Sequence, residues 1–335
     1  MDKISVIIPN YNGIKYLRGC LESLYAQEPG TPKFDILVVD NASGDGSMEQ
    51  AGVLVEQRAS SSIATPGTRF IFLERNTGFC HAVNVGIRET DADYIVLLNN
   101  DTLVKPGFIK SLYEAIKKDD RIFSVSARML MWDRPELLDD AGDRYTVLGW
   151  AYAVGKGRPK AACDRPGSIF SSCGGAAIYR RSILEQIGLF DELHFAYLED
   201  LDLGYRARIN GYINRYEPGA EVLHFGSAST GSRYNKFKTR LAAANNVYVV
   251  YKNMPLLQLL WNLPFLALGF GIKWLFFCRK KMGGIYLKGF LEGVGRCLSP
   301  EGRARKVPFS PKNFGNYFKI QLELYLNTIL FLTKS

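Results

Sequence analysis

Short apolar runs that stop abruptly in polar loops, with segments of helical period between them, dominate the first third of the chain. The runs are residues 4–9 (ISVIIP), 35–40 (DILVVD), 70–73 (FIFL) and 94–98 (YIVLL). Rich in β-branched residues and lacking polar alternation, they read as strands covered on both faces. Leu17, Cys20, Leu21 and Leu24 recur at the spacing of one helical face, with Asn12 the expected N-cap. Asn76-Thr77-Gly78-Phe79 opens another helix, which continues through Ala82, Val83 and Gly86. Strands alternating with helices predict βαβ units, hence an α/β fold with a parallel sheet and right-handed crossovers. Polar loops at Asn10, Asp40 and Asn99 fall at three strand ends and are expected along one edge of that sheet. Open α/β sheets bind ligands there, outside the carboxyl ends of their strands.

The fourth run ends in Asn99-Asn100-Asp101. A hard cation such as Mg2+ or Mn2+ takes oxygen ligands and is often held by one or two carboxylates together with substrate phosphates. Asp101 suits that role, with Asn99 contributing through water; a turn capped by Asx side chains explains the same residues. Tyr197-Leu198-Glu199-Asp200-Leu201-Asp202 places three acids in four positions, ahead of a helix that runs through Leu203, Tyr205, Ala207 and Ile209 to Gly211. Asp200 stands where an N-cap would stand. Crowded, partly buried carboxylates repel one another, which raises a carboxyl pKa toward a range useful to a general base. A functional role is therefore expected among Glu199, Asp200 and Asp202, with Asp202 the most readily structural. His224 follows Glu221-Val222-Leu223 and is either a satisfied structural residue or a metal ligand. Ser172-Cys173-Gly174-Gly175 is either a turn or a place where a ligand approaches the backbone closely.

Charge divides the chain. It carries +9 overall, yet from Ser229 onward there are 17 Lys or Arg against 3 Asp or Glu, which leaves −5 for the remainder. An acidic front part, with no recognition-helix, zinc-finger or aromatic RNA-binding signature behind it, does not describe a nucleic-acid binder. Basic residues interleaved with Trp, Phe and Leu instead suit an anionic membrane surface. Residues 253–272 hold no formal charge, between Lys252 and Lys273, a length that suffices to span a bilayer. Pro255, Gln258, Asn262 and Pro264 argue against a span, so an interfacial helix and a core helix stand beside it. Residues 317–332 form a second amphipathic or apolar stretch. The irregular residues 128–170 are expected to shape one side of the site, and 58–68 read as an exposed loop. Six cysteines show no CxxC and no regular framework and read as reduced thiols. Met1-Asp2-Lys3 lacks the regions of a signal peptide, so the catalytic part is expected in the cytoplasm. With no GxxxxGK[ST], a P-loop ATPase is excluded, and no GxGxxG follows the first strand.

In order along the chain, SVIIPNYNG (5–13), ILVVDNASGDGS (36–47), ERNTGFCHAVNVGI (74–87), YIVLLNNDT (94–102), CGGAAIYRRSILEQIGLFDELHFAYLEDLDLGYRARINGY (173–212) and VLHFGSAST (222–230) resemble family 2 glycosyltransferases of the GT-A fold, particularly the bacterial rhamnosyltransferase-like branch. The resemblance implies a Rossmann-like, mostly parallel central sheet flanked by helices in a catalytic domain 1–230. A basic, apolar helical region, 231–335, would then associate with the membrane. It further implies inverting transfer from a nucleotide-diphosphate sugar, dTDP-L-rhamnose foremost, to a saccharide or polyprenyl-diphosphate-linked acceptor in O-antigen or cell-surface polysaccharide synthesis. Such an enzyme works at the cytoplasmic face of the cell membrane. By similarity, Pro9, Tyr11 and Asp40 hold the nucleoside, and Asn76, Gly78, Asn99 and Asn100 border the nucleotide-sugar. Asp101 matches the carboxylate that binds Mg2+ or Mn2+, His224 a C-terminal metal contact, and Asp200, beside Glu199, the base. Asn99-Asn100 stand where many relatives carry acids, which bears on the identity of the cation. Alternatives are a UDP-hexose donor, a sugar-nucleotidyltransferase and a non-catalytic saccharide-binding protein. A nucleotidyltransferase is expected to show a Gly-rich basic loop after the first strand, where this chain has Asn10-Tyr11-Asn12-Gly13.

Overall fold

Side chains that alternate along each buried strand are shared between two separate cores, as a period of two requires. In the computed structural model, which describes residues 2–60, 66–226 and 235–334, Val6, Ile8, Ile36, Val38, Val96 and Leu98 enter one core. Ile7, Leu37, Val39, Ile95 and Leu97 enter the other. The elements run β1 (Ile4–Asn10), α1 (Leu17–Tyr25), β2 (Phe34–Asp40), α2 (Ser47–Ala59), β3 (Thr68–Phe72), α3 (Phe79–Arg88), β4 (Tyr94–Leu98), β5 (Thr102–Val104) and α4 (Phe108–Ile116). There follow β6 (Ile122–Met131), β7 (Leu138–Asp140), β8 (Asp143–Tyr145), β9 (Ala151–Ala153), β10 (Gly167–Ile169), β11 (Ala176–Arg180), α5 (Arg181–Ile187), α6 (Glu199–Ile209) and β12 (Ile213–His224). The chain closes with α7 (Lys236–Asn253), α8 (Leu256–Arg279), α9 (Gly283–Leu298), α10 (Pro300–Ala304) and α11 (Phe314–Lys334). The first core takes α1, α2 and α4, the second α3, α5 and α6.

One sheet has the order β10-β12-β6-β11-β4-β1-β2-β3, with β5 beside β12 and β7 beside β6. β3, β2, β1 and β4 are parallel. β11 is antiparallel to both β4 and β6, so β6 regains the common direction and β12 lies parallel to it. The parallel strands therefore end at one edge, which carries Asn10, Asp40, Asn99 and His224. β11 begins at that edge, opposite Leu98, and delivers Gly174-Gly175 to it.

Three local expectations change. Tyr16, not Asn12, precedes α1; Asn12 adopts a left-handed backbone, φ 53°, and its Oδ1 accepts a bond from the Gly44 amide at 3.0 Å. Leu198 occupies the cap of α6, so Asp200 sits inside the first turn. The uncharged window 253–272 breaks at Met254-Pro255, and α8 extends past Lys273 to Arg279. Proline starts a helix readily but cannot continue the hydrogen bonding of one that precedes it.

A third core fastens the C-terminal helices to the front part: Val249, Val250, Leu266, Ile320 and Leu324 pack with Tyr145, Leu148, Phe170, Leu201 and Tyr205. The two expected domains thus share apolar packing. Their expected boundary, the last letters of VLHFGSAST and part of the 58–68 loop lie outside the described residues.

Candidate active site

A cavity of about 1300 Å3 opens at the carboxyl edge of the sheet, walled by Pro9, Tyr11, Asn76, Gly78, Asn99, Asn100, Asp101, Glu199 and Asp200. Asp40 and His224 are not on its wall. Asp40 lies just beneath: its carboxylate accepts bonds from Asn10 Nδ2 at 2.9 Å, the Ser43 amide at 2.9 Å and the Ser43 hydroxyl at 2.6 Å. Its neighbour Asn41 lines the cavity instead.

Loop order at the first strand end comes from a chain of amides. Asn100 Nδ2 donates to Asn10 Oδ1 at 2.7 Å, and Asn10 Nδ2 donates onward to Asp40 and to the Ser47 hydroxyl at 3.0 Å. A Cβ on Gly13 would fall 2.2 Å from Asn10 Oδ1 and 2.3 Å from Asn100 Nδ2, so only glycine fits there. Asn41 staples the next loop, accepting from the Thr77 amide at 2.8 Å and donating to the Gly78 carbonyl at 3.0 Å. Gly78 has φ 87°, and a Cβ on it would meet the Phe195 ring at 2.6 Å. Tyr11, 41% exposed, is left with a ring face available for stacking.

β5 pairs with the end of β12 in the register His224–Thr102, which sets His224 beside Asp101 despite their separation in sequence. His224 Nε2 lies 3.5 Å from Asp101 Oδ1, and its Nδ1 lies 2.7 Å from Asp139 Oδ2. Burial opposes charge on the imidazole, but the two carboxylates outweigh it and lift His224 to about 9. Burial likewise opposes charge on Asp139, where His224 and Lys156 prevail and hold the carboxyl at about 2.

Opposite stands the acidic turn of α6. Burial raises both Glu199 and Asp200, and the Asp200 charge raises Glu199 further. Their surroundings differ. Asp200 accepts from the Leu201 amide at 2.7 Å and the Gly174 amide at 3.3 Å, whereas Glu199 Oε2 is buried and accepts no bond among the described residues. Donors stabilise the ionised form, so Asp200 is raised less than Glu199. Asp140, pushed up to about 7 by burial and then by the charges of Asp139 and Asp200, joins the same wall.

The segment leading into α6 is strained. Phe195, Tyr197 and Leu198 have φ of 61°, 71° and 65°, a conformation that costs a non-glycine residue about 1–3 kcal/mol. Asn245, fully buried on α7, holds it: its Nδ2 lies 2.9 Å from the His194 carbonyl, 2.8 Å from that of Ala196 and 2.7 Å from that of Tyr197. Arg296 of α9 donates in turn to Asn245 Oδ1.

The model of the family described as Glycosyl transferase family 2 matches residues 5–188. The chain belongs to that family. Like its relatives it is a glycosyltransferase, with the mixed, mostly parallel sheet of the GT-A fold. The N-acetylglucosaminyl-diphospho-decaprenol L-rhamnosyltransferase of Mycobacterium tuberculosis is 31% identical over 263 residues, which are 69% of this chain and 78% of its own length. The teichoic acid poly(glycerol phosphate) polymerase of Staphylococcus epidermidis is 23% identical over 76% of this chain, but only 32% of its own length is matched. Among solved structures, GalNAc-T7 with UDP, GalNAc and Mn2+ superposes at TM-score 0.60 and 18% identity, covering 75% of this chain and 48% of that one. The mannosyltransferase PcManGT from Pyrobaculum calidifontis, with GDP-Man and Mn2+, gives 0.55 and 16%, covering 96% and 84%. These two likenesses establish the fold.

Two features of this glycosyltransferase were not foreseen in the sequence. Asp139 and Asp140 lie in the irregular 128–170 segment; the acids of Asp139-Asp140-Ala141-Gly142-Asp143 were the available signal. Asp191, His194 and Asp202 also cluster closely enough to suggest a metal, but their charges are already matched. Lys252 Nζ contacts Asp191 at 2.7 Å and Asp202 at 2.9 Å, Arg206 reaches Asp202 at 2.9 Å, and Arg305 contacts Asp191. Asn253 and Tyr248 fill further lone pairs. Burial pushes His194 down to about 4. This cluster is an ion-pair anchor for α7, which accounts for Asp202 as a structural residue.

Proposed function

We propose that this glycosyltransferase carries out an inverting, metal-assisted transfer of L-rhamnose from dTDP-L-rhamnose to a hydroxyl of a polyprenyl-diphosphate-linked saccharide, during cell-surface polysaccharide synthesis. The observation that carries the reading is one cavity that brings Asp101, with His224 behind it, together with Asp200, whose carboxyl accepts from the Gly174 amide. Rhamnose follows from the 31% relative, whose name specifies an L-rhamnosyltransferase acting on a diphospho-decaprenol.

Tyr11 stacks on the base, and Pro9, Asn41, Asn76 and Gly78 enclose the nucleoside, with Asp40 acting from beneath through Asn10. Asn99 and Asn100 border the sugar diphosphate. A carboxylate oxygen beside an imidazole nitrogen, its other nitrogen held by Asp139, suits a divalent cation. Asp101 and His224 would hold Mg2+ or Mn2+, the imidazole releasing its proton on binding, and the bound charge would stabilise the leaving diphosphate. Asp200 takes the proton of the acceptor hydroxyl as that oxygen attacks the anomeric carbon. A single displacement breaks the bond to the diphosphate on the opposite side and inverts the centre.

Residues 1–230 act as the catalytic part in this reading, and 231–335 bring it to the cytoplasmic face of the membrane, where a lipid-linked acceptor resides. The test is a thermal-shift screen of nucleotide-sugars with Mg2+ and Mn2+, followed by transfer assays on the donors that bind. A ligand that binds the native state raises the melting temperature. A shift with dTDP-L-rhamnose and inverted product support the assignment; a shift and transfer with a UDP-hexose alone would refute the donor.

A further inference from the structure

The C-terminal helices are apolar on the side that a water-soluble protein would make polar. On α8, Leu257, Trp261, Leu268, Ile272 and Leu275 follow one another at helical spacing and are all exposed, Leu257 to 82% and Trp261 to 67%. On α9 the exposed stripe is Leu287, Leu291, Val294 and Leu298; on α11 it is Phe318, Leu322, Ile329 and Leu332. A surface helix of a soluble protein places such a stripe toward its core.

The opposite sides of the same helices face the body. Gly289 and Gly293 of α9 meet the backbone of α7, and Tyr317, Ile320 and Leu324 of α11 enter the third core. α8 lies between them: Phe270 packs on Phe290 of α9, and Phe265 on Tyr325 of α11. Asn262 exchanges two amide hydrogen bonds with Gln321, at 2.9 and 2.8 Å, and Trp150 Nε1 donates to the Gly269 carbonyl at 3.0 Å. Further along, Phe277 reaches the cavity wall.

By length and composition α8 qualifies as a membrane span. Its attachments decide otherwise. From Gln258 to Phe277 they run along roughly 28 Å of helix at 1.5 Å per residue, nearly the thickness of a bilayer core. A spanning α8 would carry Asn262, Gln321 and the edge of the catalytic body into hydrocarbon, where polar groups lose water without compensation.

We propose that α8, α9 and α11 form one docking layer that lies parallel to an anionic bilayer, with their apolar stripes immersed to the headgroup boundary. Charge selects this occupant. Arg279, Lys280, Lys281, Lys288, Lys312 and Lys319 are exposed around the layer, while two acids of the region, Glu292 and Glu323, are paired with Arg240 and Arg208. An apolar face ringed by cations matches anionic lipid. Phe277 on the cavity wall lies three residues from Trp274 on the exposed side of α8, so docking sets the cavity mouth at headgroup level. The diphosphate of a lipid-linked acceptor lies at that level; this last step rests on the acceptor class proposed above.

Full-length protein is mixed with phosphatidylcholine vesicles, with and without phosphatidylglycerol, and with lipids brominated near the headgroup or deep in the acyl chain. Comparing wild type with Trp261→Phe and with Trp274→Phe isolates each indole. In-plane docking quenches both with the shallow bromine, and an indole added midway along α8 by Leu268→Trp separates the two geometries, since a span would carry residue 268 to the bilayer centre and the deep bromine. Binding is expected to require phosphatidylglycerol, to be released by alkaline carbonate, and to fall at least tenfold in Leu257→Glu/Leu291→Glu with an unchanged melting temperature. Val53→Glu, on α2, leaves it unchanged. Deep quenching of the added indole at position 268, undiminished binding by the double variant, or a vesicle-free dimer that the double variant dissociates each overturns the proposal. No turnover is measured, so failure here leaves the transferase reading standing, and failure to transfer rhamnose leaves the docking standing.

Discussion

Asn245 lies outside the matched family segment, yet it governs the geometry of Asp200. In Asn245→Leu the branching at Cγ is kept and every donor is lost. The His194 carbonyl still accepts from the Ala196 amide at 2.7 Å, so the loss falls on the carbonyls further along, that of Ala196 foremost. Loss of the donor to part-buried acceptors costs about 1–3 kcal/mol, so roughly 2–3 kcal/mol is expected here. In a chain of this size that lowers the melting temperature by roughly 4–8 °C. The effect on rate is separate. Phe195, Tyr197 and Leu198 all hold positive φ, and without the clamp the segment relaxes toward negative φ, moving the first turn of α6. A shift of about 1 Å at a reacting group costs on the order of 100-fold in rate, so kcat is expected to fall 10- to 100-fold while donor affinity changes little. Thermal melts and steady-state kinetics on the same preparation provide both readings. Asn245→Asp, which keeps the size and the Arg296 contact but turns the donor into an acceptor, is expected to be no better than leucine. A variant with wild-type kcat and a depressed melting temperature would show that the clamp stabilises the fold without positioning the base.

Asp200→Asn is expected to lower kcat by about 100- to 10,000-fold with the donor-induced thermal shift preserved; transfer at the wild-type rate would remove Asp200 as base. Because burial raises Asp200, the acid limb of kcat/KM is expected above the ordinary aspartate pKa of 3.8: activity is present above the raised value and disappears as pH falls through it, and a limb at or below 3.8 refutes the assigned charge state. Asp101→Ala and chelation by EDTA are each expected to abolish transfer, with Mn2+ or Mg2+ restoring only the chelated wild type; full activity in EDTA excludes the cation site. Lys252→Met breaks a buried ion pair, expected to cost about 3–5 kcal/mol at pH 7. Asp191 is held at about 2 in the folded protein, so its contribution exists above pH 3.8 and is lost on acidification through 2; the gap between variant and wild type in urea melts should therefore shrink toward pH 2, and a constant gap argues against the pairing.

The strand ends and the acidic turn were legible because the physics that marks them is local. A β-branched run ending at Asn99 announces a buried strand and its exit, and three acids within one turn have no common structural explanation. What the sequence concealed depends on distant contacts. The place of Asp40 beneath the cavity follows from the Asn10 and Ser43 side chains that claim its oxygens. The pairing of Asp139 with His224 needs the β7 hairpin, which carries little periodicity, and α2 buries only Ser47, Met48, Ala51 and Leu54 along thirteen residues. The division of Glu199 from Asp200 rests on the Gly174 and Leu201 amides, which no spacing rule encodes.

The helices beyond residue 235 are more than an attachment device. Asn245 and Arg296 brace the strained approach to Glu199 and Asp200, Lys252 and Arg305 compensate carboxylates that the front part buries, and Phe237 and Phe277 complete the cavity wall. The matched family segment ends at residue 188, before the acidic turn and before every one of these helices. Small displacements of α7 or α9 reach Asp200 through one buried amide. α7 and α8 therefore form one packed unit with the cavity wall, rather than an appendage to a separate domain.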